Sequence, residues 1–239
     1  MLPIRWALSR RGGHYAHVPG MCAGDKSAMS CRIHGGLFVR EVEIPSGQEP
    51  VMTTALNPLE TVANARAALH EVVSRLTEAD NDKQTPNAKF TVAQLTDHLQ
   101  NSIKLLGGAA GVDIALTTEG SVADRLLPQS QAVVDAWQRR GIDGTVTLPI
   151  GEYPAEVAVR VLGSEFLVHA WDYAVATGQE FEPMDALTDG VLESVRMIIQ
   201  PERRDGDFFA DEVPVPDDSP NLVKLIAFTG RNPGWSPAS

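Results

Sequence analysis

The sequence predicts an all-α domain built around a helical bundle. Apolar residues recur at spacings of three and four along several long segments, and residues that start or stop helices flank those segments. The chain has 239 residues, 43% of them hydrophobic, which is enough to bury the core of one medium-sized domain.

The first three helices follow from this periodicity and its boundary residues. Apolar spacing from Leu59 to Leu76 predicts a helix over about 57–79. A second helix is predicted after Thr91, with Gly107 and Gly108 as its stop. A third is predicted to start at a capping box in which Asp124 follows Ser121 by three residues, and to end at Gly141.

The fourth helix is predicted to begin near Pro154 and to end at Gly178, after a short extended piece, TVTLP. Four long helices suffice to close a bundle. A further helix over about 184–199 and a short one through Leu222, Leu225 and Phe228 predict a C-terminal helical extension.

Residues 1–51 differ in composition from the rest of the chain. They hold both cysteines, Cys22 and Cys31, and 6 basic against 4 acidic residues, whereas the remainder holds 14 against 27. We expect residues 1–51 to be a poorly structured N-terminal extension and residues 52–235 to form the folded helical domain with its tail. Limited proteolysis that leaves a stable fragment starting near Met52 would support this division.

The charge and hydropathy of the chain argue against two classes of partner. A net charge of -11 disfavours binding to nucleic-acid phosphate, and no apolar run approaches the roughly 20 residues that span a bilayer. We therefore expect a cytoplasmic protein that acts on small molecules. The absence of cysteine after residue 51 is consistent with a reducing compartment.

Three side chains form a candidate metal site. Glu165 and His169 are four residues apart and share one face of the fourth helix, within a segment that is apolar nearly all round. An uncompensated carboxylate in that setting would be costly, and a metal ion would remove the cost. His98 on the second helix would complete a set of two histidines and one glutamate, the ligand pattern of a catalytic zinc site with an open position.

Each of these residues also has a simpler interpretation. His98 alone is more often an ordinary core or surface histidine, and Glu165 with His169 is equally consistent with a helix-stabilising acid and imidazole pair. Asp172 is a candidate fourth ligand, an acceptor for an imidazole N–H, or a solvated acid, and we favour the acceptor role.

The order of motifs resembles the DinB-like superfamily, in particular the actinobacterial branch related to the N-terminal domain of mycothiol-dependent maleylpyruvate isomerase. The matching segments are TVAQLTDHLQNS, TVTLPIGEYPAEVAV, SEFLVHAWDYAVATGQ, EVPVPDDSP and LIAFTGRNPGW. The resemblance covers about 52–235 and implies a DinB-like four-helix bundle. It also implies that His98, Glu165 and His169 hold a divalent metal, usually zinc.

The same resemblance implies a function. A low-molecular-weight thiol such as mycothiol would bind at the vacant metal position and attack a small electrophile, so we expect a thiol-dependent transferase or isomerase. The alternative is a non-catalytic metal-binding or stress-response protein. Maleylpyruvate isomerisation itself is not expected, because the chain has no room for that enzyme's separate C-terminal domain. The substrate, the metal and the existence of a homodimer stay open.

Overall fold

The computed structural model describes residues 55–149, 151–201, 204 and 209–237. This part of the chain is mostly helical, with one small two-stranded sheet, which confirms the expected all-α class. The predicted extension over residues 1–51 lies outside the described residues, and its boundary with the domain stays a prediction.

Besides a single-turn 3₁₀-helix at Glu78–Asp80, the described residues contain six α-helices and the two strands of a β-hairpin. In chain order they are α1 (Pro58–Val73), α2 (Val92–Ala109), α3 (Val122–Arg140), β1 (Thr145–Leu148), β2 (Gly151–Pro154), α4 (Ala155–Thr177), α5 (Asp185–Ile198) and α6 (Asn221–Phe228). The strands pair antiparallel, with Val146 opposite Tyr153.

Helices α1, α2 and α3 each begin with a capping box. The side chain of the N-cap residue accepts a backbone N–H from the first turn, and an acid or amide three residues later accepts the N-cap N–H in return. Such caps are each worth about 1 kcal/mol. The three pairs are Asn57 with Glu60, Thr91 with Gln94 and Ser121 with Asp124.

The predicted stop of α2 is wrong. Gly107 and Gly108 lie inside the last turn of the helix, and the left-handed residue is Gly111, with φ of 83°. Gly107 has a packing role instead, because a Cβ there would lie 2.7 Å from Cδ1 of Ile114. The side chain of Ile114, in the loop after α2, therefore packs directly against the backbone of the helix at this position.

Helix α4 occupies the interior of the described fold. It packs against α1, α2, α5 and both strands, and most of its residues are buried on every side. Helix α1 also packs against α3, α2 against α3, and α5 against α6. None of the helices in the described part of the chain combines the length and the apolar character needed to cross a bilayer.

The chain turns sharply after α6. Gly230 has φ of 82°, and the backbone of Ala210 lies directly against it. Arg204 donates hydrogen bonds to the carbonyl oxygens of Ala210 and Phe228 at 2.9 and 2.8 Å. These contacts hold the end of α6 against the segment around Ala210.

Replacing Gly230 with alanine is expected to lower the free energy of unfolding by more than the roughly 1–2 kcal/mol that left-handed backbone costs an L-residue. The added methyl group would lie 2.8 Å from the Ala210 carbonyl oxygen, too close for contact without a backbone shift. Urea denaturation measures the loss. Gly178→Ala is the control, because Gly178 has a similar φ of 71° with no atom within 4 Å of an added Cβ. Equal losses in the two variants would contradict the packing argument.

Candidate metal centre

Glu165 and His169 lie one turn apart on α4 and point to the same place. His169 Nε2 is 3.6 Å from Glu165 Oε2, and the two side chains are only 6% and 11% exposed. Their burial follows from the sequence around them, because Leu162, Phe166 and Ala170 are themselves fully buried. The apolar helix thus carries one acid and one imidazole into the interior.

His98 reaches the same point from α2. Its Nε2 atom is 3.3 Å from Glu165 Oε2, and its ring meets that of His169 edge to face, with centroids 5.1 Å apart. Phe90 stacks on the other side of the His98 ring at 5.0 Å between centroids. The His98 side chain is 26% exposed, so the site faces solvent on this side.

These three residues form a group that could hold a metal ion. One ligand atom from each lies within 4.8 Å of the others. Zinc lies about 2.0–2.2 Å from nitrogen and oxygen ligands, so atoms this close can bind one ion with small adjustments of their side chains. The convergence predicted for His98, Glu165 and His169 is present.

A buried oxygen supports the fit of a cation. Glu165 Oε2 accepts no hydrogen bond from the described part of the chain, although both imidazoles approach it within ion-pair distance. A buried acceptor without a partner costs about 1–3 kcal/mol, and more when it is charged. A divalent cation at the centre of the group would satisfy this oxygen, so the donor set fits a metal.

The charges of the group favour an ionised carboxylate. Burial raises the pKa of Glu165, but the neighbouring imidazoles of His169 and His98 outweigh burial and hold it well below its usual value. Burial lowers the pKa of His169, but Asp172 and Glu165 outweigh burial and raise it. A cation that binds here would therefore compete with a proton for His169.

Asp172 has the acceptor role that we favoured from the sequence. Its carboxylate is fully buried, and Oδ2 lies 2.9 Å from His169 Nδ1. With the proton on Nδ1, His169 donates to Asp172 and leaves the lone pair of Nε2 facing Glu165. Carboxylates commonly orient ligand histidines in this way.

Arg231 is the residue that the sequence analysis missed. Its Nε and Nη2 atoms donate to the two oxygens of Asp172 at 2.9 Å each, which is a bidentate ion pair. Burial raises the pKa of Asp172, but Arg231 and His169 outweigh burial and lower it. In the sequence, Arg231 directly follows Gly230, a residue typical of helix ends. This pattern does not indicate that the arginine contacts a residue on α4.

Two tryptophans on helices α3 and α4 are buried. Trp137 on α3 is inaccessible to solvent, and Trp171 on α4 is 7% exposed. Both belong to the hydrophobic core.

The comparisons with known proteins identify relatives without assigning a function. No family model matches the chain, and no solved structure matches it. The chain is similar to the uncharacterized proteins MT0763 and Rv0738 of two Mycobacterium tuberculosis strains, CDC 1551 / Oshkosh and ATCC 25618 / H37Rv. Each is 28% identical over 179 residues, which covers 74% of this chain and 98% of the relative. The similarity thus extends over nearly the whole length of both relatives.

Proposed function

We propose that this protein is a zinc-dependent thiol transferase or isomerase with a DinB-like four-helix bundle. The observation that carries this proposal is the convergence of one ligand atom each from His98, Glu165 and His169 around Glu165 Oε2, a buried oxygen that accepts no hydrogen bond from the residues that the structure describes. The resemblance of several sequence motifs to the DinB-like superfamily is a second reason for the proposal. The co-substrate would be mycothiol or a similar low-molecular-weight thiol.

The metal would be held by His98 Nε2, His169 Nε2 and Glu165 Oε2. Two histidines and one carboxylate form a donor set that zinc accepts, and three protein ligands leave a position for another molecule. When bound, zinc would supply a positive charge that favours the thiolate form of a coordinated thiol at neutral pH.

The protein's own residues would position the reactants and limit the access of water. His98 is the most exposed of the three ligands, so the thiol and the electrophile would approach from the side of His98 and Phe90. On its other ring nitrogen, His169 contacts the fully buried Asp172. The burial of Asp172 would shield the His169 side of the metal site from water.

The nucleophilic sulfur would come from outside the protein. Both cysteines precede residue 52, so the domain that contains the site has no thiol of its own. In a transfer, the thiol would lose its proton, its sulfur would bond to the electrophilic carbon, and the leaving group would depart with the bonding electron pair. In an isomerisation, the thiol would add to the substrate and later be released unchanged.

Zinc titration of the chelator-treated protein is the first test. We expect about one zinc ion per chain by metal analysis and calorimetry. Because a ligand that binds only the folded state stabilises it by mass action, zinc at 100 times its Kd should add about 2.7 kcal/mol to the free energy of unfolding. For a chain of this size that corresponds to a rise in Tm of roughly 5–10 °C. Magnesium at the same concentration is the control, since it prefers oxygen ligands. No bound zinc and no change in Tm would overturn the proposal.

A conjugation assay separates the enzyme from a non-catalytic metal-binding or stress-response protein. The zinc-loaded protein is mixed with mycothiol and a panel of small electrophiles, and consumption of the electrophile is compared with the rate without protein. Accelerated conjugation or isomerisation that is lost on chelation supports the enzyme. Zinc binding without acceleration for any electrophile supports the non-catalytic alternative.

A further inference from the structure

The C-terminal segment after α6 contacts Asp172, the residue that lies behind His169 in the candidate metal centre. Arg231 follows Gly230, and its guanidinium contacts Asp172 on α4, 59 residues earlier in the chain. The Arg231 side chain is 11% exposed and that of Asp172 is inaccessible, so the ion pair is largely shielded from water. An arginine this deeply placed is not an ordinary surface charge.

The geometry of the contact restricts the orientation of the Asp172 carboxylate. Nε donates to Oδ1 at 2.9 Å and Nη2 donates to Oδ2 at 2.9 Å, so both oxygens are held by one planar group. A carboxylate bound at both oxygens cannot rotate about its Cβ–Cγ bond without breaking a hydrogen bond. A lysine, with one compact charge, would not impose the same restriction.

The fixed orientation of the Asp172 carboxylate in turn restricts the orientation of the His169 ring. Asp172 Oδ2 lies 2.9 Å from His169 Nδ1, and His169 Nε2 faces Glu165 Oε2. The position of the carboxylate therefore determines which nitrogen carries the proton and where the ring points. Partners behind a ligand histidine commonly contribute 10- to 100-fold in metal affinity.

We propose that Arg231 is a positioning residue of the metal centre, which fixes the Asp172 carboxylate and, through it, the ring orientation and tautomer of His169. This inference rests on the proposed metal-binding function. It assigns a role in zinc affinity to a segment that supplies no ligand. Arg231 acts through Asp172 and does not touch His98, Glu165 or His169 in the described contacts.

The test measures zinc affinity, by competition with a chromogenic chelator, in the full chain and its variants. Arg231→Ala is expected to weaken zinc binding by 10- to 100-fold, and Arg231→Lys by a smaller factor of at least threefold. Arg204→Ala is the matched control, because Arg204 also anchors the end of α6 through Phe228 but does not contact Asp172. It should lower stability and leave zinc affinity within twofold of the wild type.

A double variant shows whether Arg231 acts through Asp172. In an Asp172→Asn background, Arg231→Lys should cause less than a twofold further loss of zinc affinity, because the carboxylate that Arg231 holds is gone. The ¹⁵N NMR signals of the His169 imidazole supply a readout that does not depend on zinc. At a pH high enough to leave His169 neutral, they should report a proton on Nδ1 in the wild type and a mixture of tautomers in Arg231→Lys.

Several outcomes would overturn the inference. These are an affinity of Arg231→Lys within twofold of the wild type, equal losses in Arg231→Ala and Arg204→Ala, or a full additive loss in the double variant. If Arg231→Ala does not fold, Arg231→Lys decides the question alone. A wild-type protein that binds no zinc would remove both the proposed function and this inference, whereas tight wild-type binding with unaffected Arg231 variants would remove only the inference.

Discussion

Replacing His169 with alanine is expected to weaken zinc binding by more than 100-fold. His169 supplies one of three proposed ligands, and loss of a ligand should exceed the 10- to 100-fold cost of changing a residue behind one. The remaining His98 and Glu165 would hold a cation through two atoms 3.3 Å apart. Calorimetry and metal analysis of the purified variant measure the loss, and far-UV circular dichroism verifies that the helices are intact.

Two further variants test whether zinc binds at the proposed ligands and not at another histidine. His98→Ala should weaken zinc binding to a similar degree, and because His98 is partly exposed its removal disturbs the core less than removal of His169. His70→Ala is the control, since His70 lies exposed on α1. Unchanged zinc affinity in both His169→Ala and His98→Ala would mean that any bound zinc lies elsewhere.

Replacing Asp172 with alanine is expected to lower the free energy of unfolding by about 3–5 kcal/mol in the presence of a chelator. The variant leaves the shielded Arg231 guanidinium without its anionic partner and removes the acceptor of His169 Nδ1. Urea denaturation with chelator present measures the effect without any contribution from bound metal.

The controls for this loss separate charge from packing. Asp113→Ala, at an exposed loop position, should change stability by no more than about 0.5 kcal/mol. Asp172→Ala combined with Arg231→Met should be more stable than Asp172→Ala alone, because no uncompensated charge is then buried. A loss below 1 kcal/mol for Asp172→Ala would show that Arg231 can move into solvent at little cost.

The helices were predictable wherever local chemistry decides their ends. The capping box at Ser121 and the end of the fourth helix at Gly178 are confirmed, because both depend on residues a few positions away in the chain. Glu165 and His169 were predictable for the same reason, since a spacing of four places two side chains on one face regardless of the surrounding fold. His98 required the further assumption that α2 packs against α4, which the structure confirms.

The sequence was less informative about features that depend on contacts between residues far apart in the chain. Helix α1 ends at Val73, although its apolar spacing continues to Leu76. Gly107 packs closely against Ile114, a contact that local propensity does not reveal. The pairing of β1 with β2 was not predicted, and neither was the contact of Arg231 with Asp172. Residues far apart in sequence meet only after the helices have packed, and single-sequence patterns contain little information on that packing.

The burial of α4 on every side determines how the metal centre responds to local fluctuations. Peripheral elements such as α6 and the hairpin can separate transiently while the rest of the domain stays folded. Helix α4 contacts α1, α2 and α5 together, so its backbone amides can exchange with solvent only when most of these contacts are lost at once. Two of the three proposed ligands therefore lie on the most cooperative part of the domain, so the backbone positions of Glu165 and His169 persist even when an opening of α6 separates Arg231 from Asp172.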